Sequence, residues 1–425
     1  MRPVVICEAP IVAERLRYDG PMRHVVGAVL IIAVVLALPT RDALGQFIRA
    51  PFMPSVPDEP KQTPPTVTPT LTLSEEFNDN VFLDNLKRRS DFVGAASPGL
   101  SFSLETPDYG LTTSYRLTAE FYARHPELDN TDRNDFTLEG FYRVTPDVTL
   151  ALRDQFTSGL DTPSVTAEGV STGRDLTFSN SAVGTLTWAI DRLTGIRLVG
   201  AHTLQRFESP AARNSDVYRA QLSADRTLTP ALTGTASYEF AAFDIQHDPT
   251  MTYTHTPRFG LRYNLTDRLV ARLGAGPTIA IGERPVRITP AVTASLEQTF
   301  SWGMATVLYD RAVGTAGGLG GTTDNQIISA RLTLAAPVPG LFVELAPRYT
   351  IFESAVGRAI DIRAASVSFQ ASYQIASWLT AILSYSFFHQ RQESPVPAAD
   401  ATTATEVDQS RVFFGLQIGY PVPLK

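Results

Sequence analysis

Histidine is the residue in this chain with the widest scope for chemistry, because it is both the usual general base and the usual metal ligand. The sequence has six histidines: His24, His125, His202, His247, His255 and His389. None of them belongs to a motif with metal-site spacing, and His125 and His247 fall at the ends of predicted strands, where solvated loop residues are expected. We therefore predict no metal site and no cofactor.

His202 is the one candidate for catalysis. It lies on the apolar face of its predicted strand with Ile196 and Leu198, where a lipid-hydrolysing enzyme would need a serine beside it. The sequence identifies no such serine. The single cysteine, Cys7, precedes the apolar leader described below, which excludes cysteine catalysis in the exported chain. We predict that the protein is not an enzyme, and an outer-membrane enzyme stays the weakest alternative.

Two loops contain residues that suggest a ligand. Asp79, Asn80, Asp84 and Asn85 crowd one loop and offer oxygen ligands for calcium, but their spacing is not that of an EF-hand, so a polar loop is the preferred interpretation. The stretch from Gly314 to Gly321 is rich in glycine but no predicted helix follows it, as a phosphate-binding loop requires. We interpret it as a flexible outer loop.

The first 45 residues are predicted to be a signal peptide. Val25 to Leu38 is an apolar run of about 14 residues, too short to span a bilayer comfortably. Arg23 precedes it and Ala43-Leu44-Gly45 follows it, which is the pattern of a cleavable leader that ends before Gln46. Translation from Met22 is an alternative start, and a membrane anchor is the alternative interpretation. Residues 46–67 are rich in proline and predict an extended periplasmic linker.

Residues 68–425 alternate between apolar and polar side chains over stretches of about 12 to 16 residues. Ala365, Val367, Phe369 and Ala371, for example, alternate with serines and glutamines. Soluble strands centre on five or six residues, whereas strands with one apolar and one polar face over such lengths are typical of a barrel in a membrane. The fold class predicted is all-β: a transmembrane antiparallel up-and-down barrel.

Short and long connections alternate along this region, which predicts the sidedness of the barrel. Short turns such as Thr145-Pro146-Asp147 and Leu265-Thr266-Asp267 recur about every 35 to 45 residues, with long polar loops such as 159–174 and 392–406 between them. Barrels inserted from the periplasm have short periplasmic turns and long outer loops. The count of strands is 18, with 16 as the alternative.

Charged residues on the polar faces are predicted to line the lumen. Of the 36 basic residues, only Lys61, Lys87 and Lys425 are lysines, and an arginine facing lipid at mid-membrane would cost ~2–4 kcal/mol. The predicted lining residues are Arg116, Glu120, Glu139, Arg143, Arg153, Arg197, Arg219, Glu239, Arg258, Arg262, Arg272, Glu297, Glu344 and Arg348. They either pair across strands and fill the interior, or line a wet passage, and we favour the passage because an 18-stranded barrel is wide enough for one.

Two stretches resemble known sequences. Gly415, Ile418 and Tyr420 resemble the last-strand signal that the barrel-assembly machinery reads, although Phe414 and the five residues after Tyr420 depart from it. Residues 71–82, LTLSEEFNDNVF, with 90–100 resemble the first two strands of outer-membrane β-barrel porins encoded beside exopolysaccharide export genes. That resemblance implies a barrel of the cell outer membrane with polysaccharide export or anchoring as its role.

The sequence thus predicts an outer-membrane porin-like channel that passes small hydrophilic solutes. The alternative is a closed structural or surface-binding barrel without transport. The expected partners are outer-membrane lipid, the barrel-assembly machinery and, from the resemblance, polysaccharide. The net charge of −7 gives no support for nucleic-acid binding.

Overall fold

The computed structural model describes residues 63–161, 168–248, 250–282, 286–335, 338–356, 360–392 and 406–424. The predicted signal peptide and most of the predicted linker lie outside these residues. In the part that is described, no helix is long and apolar enough to cross a membrane.

Eighteen long strands make up almost all of the described chain, and each has 13 to 16 residues. The strands are β1 (Thr63–Asn78), β2 (Asp91–Glu105), β3 (Tyr109–Tyr122), β4 (Asn130–Thr145), β5 (Val148–Asp161), β6 (Arg174–Ala189), β7 (Thr194–Phe207), β8 (Ser215–Thr229), β9 (Leu232–Ile245), β10 (Thr252–Thr266), β11 (Leu269–Ile281), β12 (Arg287–Phe300), β13 (Gly303–Thr315), β14 (Thr322–Ala335), β15 (Leu341–Val356), β16 (Asp361–Ala376), β17 (Leu379–Gln392) and β18 (Glu406–Gly419). A 3₁₀ turn, Pro126–Leu128, is the one helical element of the described residues.

The strands form one closed antiparallel barrel. Every strand pairs with the next in sequence, and β1 pairs with both β2 and β18, so the sheet has no free edge strand. Val422–Pro423 continues β18 after a break and pairs with Thr66 and Val67 of β1. The predicted fold class is confirmed, with 18 strands and not 16.

Turn lengths alternate as the sequence predicted. Strands β4 and β5 are joined by two residues, as are β8 and β9 and β10 and β11, whereas 12 residues separate β1 from β2 and 13 separate β17 from β18. Most predicted strand starts agree with the observed ones to within two residues. The largest difference is at β1, predicted from Thr68 and observed from Thr63.

The early start of β1 corrects the predicted linker boundary, because residues 63–67 belong to the strand. Pro64 and Pro65 indicated a linker because proline lacks the N–H that a ladder needs. The pairing of β1 with β2 shifts register between Thr63 and Thr66, so both prolines fall at an irregularity where their missing donors are tolerated. The Pro65 carbonyl accepts a hydrogen bond from Leu424 N at 2.7 Å.

Apolar side chains cover the outside of the barrel. Residues of one parity on each strand are exposed and apolar, such as Leu198 on β7, Leu222 on β8 and Leu261 on β10, each about half exposed. Since side chains alternate between the two faces of a strand, the intervening polar residues face the lumen. A closed barrel with an apolar exterior and a polar interior is the architecture of an outer-membrane barrel, and the protein is located in the outer membrane.

One hairpin leaves the wall at its outer end. Strand β12 pairs with β13 only from Phe300↔Gly303 to Val292↔Arg311, whereas β13 stays paired with β14 as far as Thr315↔Thr322. Beyond Arg311 the tip of this hairpin turns into the barrel, where Val313 packs on Phe243 of β9. Strand β12 then approaches β15 directly, and Arg287 Nη1 donates to the Ser354 carbonyl at 3.1 Å.

Candidate functional site: the barrel lumen

All 14 residues predicted to line the lumen lie on strands, at positions that alternate with the exposed apolar residues. On β10, Arg258 and Arg262 alternate with Phe259, Leu261 and Tyr263, which face outward. The ladder places Arg262 directly opposite Arg272 of β11. The structure therefore puts these side chains on the inner face of the barrel, from β3 round to β15.

Several lining residues form ion pairs across neighbouring strands. Arg153 Nε lies 3.4 Å from Glu139 Oε1, and Arg272 Nη1 lies 3.2 Å from Glu297 Oε2. These side chains remain between about a quarter and two fifths exposed. The lumen wall is thus a mixed-sign surface in contact with water, and such solvated pairs add little stability.

Three members of these pairs were not predicted from the sequence. Arg133 lies 2.8 Å from Glu120, Asp135 lies 3.0 Å from Arg116, and Arg331 lies 3.7 Å from Glu344. The alternation predicts this strand only from Asn134, which leaves Arg133 in the preceding loop, whereas β4 starts at Asn130. Asp135 has the same parity as Glu139 and Arg143 on the same strand, so the alternation alone could have identified it.

Arginines without a carboxylate partner concentrate on one side. Within the described residues, no ion pair or hydrogen bond involves the guanidinium groups of Arg258 and Arg262, and Arg258 Nε is buried without an acceptor. The Arg219 guanidinium lies over the Phe243 ring at 5.9 Å. Strands β8 and β10 therefore present to the lumen guanidinium groups that form no ion pair with a described carboxylate, although Glu239 of β9 lies between these strands on the same face.

The segment from Glu168 to Gly173, which precedes β6, crosses the lumen. Glu168 Oε2 accepts from Gln205 Nε2 of β7 at 2.6 Å, and Glu168 Oε1 accepts from Thr315 Oγ1 of β13 at 2.6 Å. Ser171 N donates to Gln390 Oε1 of β17 at 2.7 Å, and its carbonyl accepts from Gln390 Nε2 at 2.9 Å. These contacts join walls on opposite sides of the barrel, so the segment narrows the passage.

The glycine-rich stretch is the second inward segment, which corrects the prediction of a flexible outer loop. Residues 314–321 lie inside the outer mouth and all except Leu319 are buried. A Cβ at Gly318 would lie 2.8 Å from Phe207 Cζ, and the φ of Gly318 is +88°. Arg213 N donates to the Gly318 carbonyl at 2.7 Å. The glycines are needed because the chain turns left-handed in a space without room for side chains.

The two inward segments pack on each other through apolar side chains. Val170 of the first and Ala316 of the second are fully buried and form one cluster with Phe352 of β15 and Ile362 of β16. No local pattern indicates this contact, because the residues come from four separate stretches of the chain. Together the two segments form a constriction at the outer end of the lumen, which we call the outer constriction.

The acidic loop between β1 and β2 binds protein groups. Asn80 is fully buried, its Oδ1 accepts from Asp84 N at 3.1 Å, and its Nδ2 donates to the Asp408 carbonyl at 2.7 Å. Asp79 pairs with Arg88, and Asn85 Nδ2 donates to Asp408 Oδ2 at 3.0 Å. These contacts fasten the loop to β18.

His202 lies on the outward face, as predicted. Its Nε2 is 3.0 Å from Asp216 Oδ1, and its ring stacks on Tyr218 with centroids 4.7 Å apart. Arg206 pairs with the second Asp216 oxygen at 2.6 Å. Among the described residues no serine hydroxyl hydrogen-bonds the His202 ring, so nothing described assembles a nucleophile there.

The residues of the C-terminal signal lie at the closing seam of the barrel. Gly415 pairs with Ser74 of β1, and a Cβ there would lie 2.9 Å from the Phe413 ring. Ile418 faces outward and is 43% exposed, while Tyr420, just beyond β18, is 67% exposed. Both apolar side chains are therefore accessible from the membrane side of the last strand.

One cluster was not foreseen from the sequence. His389 of β17 and Glu406 and Asp408 of β18 each bring a potential ligand atom within 4.8 Å of the other two. Spacing along the chain does not indicate the cluster, because 16 residues separate His389 from Glu406. Only the ladder between the two strands brings them together.

No protein-family model matches the chain, and no curated protein matches it. Several solved structures do. Pseudomonas aeruginosa OpdO is 15% identical over 84% of this chain and 98% of that chain, with a TM-score of 0.44. Acinetobacter baumannii OccAB4 is 12% identical over 85% and 99%, with a TM-score of 0.44. P. aeruginosa OccK2 (OpdF), solved in complex with glucuronate, is 10% identical over 84% and 98%, with a TM-score of 0.43.

Proposed function

We propose that the protein is a porin-like channel that passes small hydrophilic solutes and modestly favours anions. The observation that carries the proposal is the water-accessible lumen wall, on which Arg258 and Arg262 form no ion pair with any described carboxylate. Arg262 is exposed and stands directly opposite Arg272 in the ladder. Arg272 is paired with Glu297, so Arg262 is the member of this opposed pair that is left to attract a passing anion.

The preference is expected to be modest, because glutamates share the same wall. Glu139 and Glu297 neutralise Arg153 and Arg272 locally, whereas Arg258 and Arg262 keep their charge. Low-dielectric walls focus the field of such charges along the passage. The net effect is a polar, mixed-sign lumen with a positive strip on β10.

Charge reversal on β10 tests this function. The double variant Arg258→Glu/Arg262→Glu should shift the reversal potential in planar bilayers from anion toward cation preference, because lumen substitutions tune selectivity more than stability. The matched control is Glu139→Arg/Arg153→Glu, which exchanges a paired couple and keeps the net lumen charge. Its selectivity should stay at the wild-type value. An equal shift in both variants would contradict the assignment of the positive strip.

The second candidate is a closed structural or surface-binding barrel. The buried packing of Val170 and Ala316 favours it, because the outer constriction has a dry core. Wild-type protein that shows no conductance at any voltage would decide for this candidate and against the channel. The loops at the outer end would then be the surface that contacts other molecules.

A role in exopolysaccharide export is a narrower part of the proposal. It is supported only by the resemblance of residues 71–82 and 90–100 to barrels encoded beside such genes. Deletion of the gene should reduce the amount of polysaccharide released to the medium. The growth rate in a medium whose nutrients do not need this channel should be unchanged. Unchanged release in the deletion strain would remove the polysaccharide link and leave the channel proposal intact.

A further inference from the structure

We propose that the hairpin of β17 and β18 holds a divalent transition-metal ion on its outward face at the outer rim. The ligands are His389, Glu406 and Asp408, whose ligand atoms lie within 4.8 Å of one another. One nitrogen and two carboxylate oxygens suit Zn²⁺ and its neighbours in the first transition row. The site is separate from the lumen, so it does not depend on the proposed channel function.

The backbone ladder sets the positions of the three ligands. Asp408 pairs directly with His389, and Glu406, which pairs with Arg391, lies two residues further along the same face of β18. Directly opposed residues have Cβ atoms about 4.5–5.5 Å apart. Tetrahedral Zn²⁺ with bonds of about 2.0–2.2 Å needs ligand atoms roughly 3.4 Å apart. Rotation of side chains alone can therefore close the triangle around an ion.

Asp408 is held in place by a neighbour outside the triangle. Its Oδ1 is 2.7 Å from His389 Nδ1, and its Oδ2 accepts from Asn85 Nδ2 at 3.0 Å. Asp408 N also donates to Asn85 Oδ1 at 2.8 Å. Hydrogen bonds that orient a ligating carboxylate in this way typically support metal affinity.

The Glu406 carboxylate lies close to His389 and Asp408, with a ligand atom within 4.8 Å of each. Arg391 stands directly opposite Glu406 in the ladder, yet within the described residues Glu406 forms no ion pair with it. Two carboxylates that lie close together repel each other, and a cation bound between them would stabilise both. Arg391 nearby adds positive charge and weakens cation binding, so we expect moderate affinity.

The cluster lies high enough on the barrel to be reached from water. His389 is the eleventh residue of β17, counted from the periplasmic end, and Glu406 is the outermost residue of β18. A tilted strand crosses the hydrocarbon with about 9–11 residues. The ligands therefore lie at the outer interface, accessible to ions outside the cell.

The test is Zn²⁺ titration of the folded protein in detergent by calorimetry, with Co²⁺ absorption as a report of inner-sphere coordination. We expect one site, weakened at least about tenfold by His389→Ala and by Glu406→Gln. The matched control is His202→Ala. His202 also pairs with an aspartate, Asp216, on the outer face of the barrel. The third member of that group is Arg206 and not a second carboxylate.

Folding of each variant is checked by heat-modifiable gel mobility, so that a misfolded barrel is not read as lost binding. Wild-type protein with no Zn²⁺ binding and no Co²⁺ spectrum would overturn the proposal. So would equal binding by wild type and His389→Ala. This experiment measures metal binding and not conductance. Its result therefore does not depend on whether the channel proposal is correct.

Discussion

Replacement of Glu168 by alanine tests whether the outer constriction limits flow through the lumen. The Glu168 carboxylate joins β7 to β13 through two hydrogen bonds of 2.6 Å, from Gln205 and from Thr315. Hydrogen bonds to a charged group contribute about 1.5–3 kcal/mol each. The substitution removes both and leaves two buried donors without this acceptor, since Gln205 is 1% and Thr315 is 7% exposed.

At the lower end of that range the two hydrogen bonds together contribute about 3 kcal/mol. Their loss shifts the equilibrium between the packed and the unpacked outer constriction by about a hundredfold. We therefore expect Glu168→Ala to raise single-channel conductance or open probability in planar bilayers. The barrel itself should stay folded, because its ladders do not involve Glu168.

The control for the lost charge is Glu239→Ala. Glu239 also faces the lumen, on β9, but within the described residues it joins no inward segment to the wall. Both variants remove one negative charge, so both should increase anion preference slightly. If Glu168→Ala gives the same conductance as Glu239→Ala, the two hydrogen bonds do not hold a constriction and the reasoning is wrong.

Two further predictions concern packing and sidedness. Gly318→Val should displace the buried hairpin tip, because a side chain there meets the Phe207 ring and the backbone is left-handed. Conductance in bilayers should therefore rise without unfolding of the barrel. Unchanged conductance would show that the tip does not obstruct the passage. Leu222→Arg should reduce unfolding free energy in lipid vesicles by about 2–4 kcal/mol, since Leu222 is the central, lipid-facing residue of β8. The adjacent Gln221→Arg, which faces the lumen, should cost far less, and equal losses would show that the faces are wrongly assigned.

The wall of the barrel was predictable because its rules are local. Alternation along β16, with Ala365, Val367 and Phe369 on one face, determines both the strand and its orientation. Turn residues such as Pro146 mark where a strand must reverse. The same alternation placed Arg258 and Arg262 inward, because lipid tolerates arginine poorly.

The constriction was not predictable because its contacts are long-range. Glu168 binds residues 37 and 147 positions away, and Val170 packs on Phe352 and Ile362. The glycines of the hairpin tip fit an exposed flexible loop and a tightly buried one equally well, and only the neighbouring Phe207 distinguishes them. His389 and Asp408 likewise needed the ladder of β17 and β18 to be seen as neighbours.

The departure of β13 from β12 sets how deeply the barrel can sit in the membrane. Beyond Val292↔Arg311, residues 287–291 of β12 have no partner on that side among the described residues, and unsatisfied backbone groups cost several kcal/mol each in hydrocarbon. The outer hydrocarbon boundary must therefore lie at or below this point. The ladder from this point to the turn contains nine pairs, with Val292↔Arg311 and Phe300↔Gly303 included, and about nine residues are the minimum that a tilted strand needs to cross. Here the protein matches a thin bilayer, and a thicker one would have to compress locally around β12.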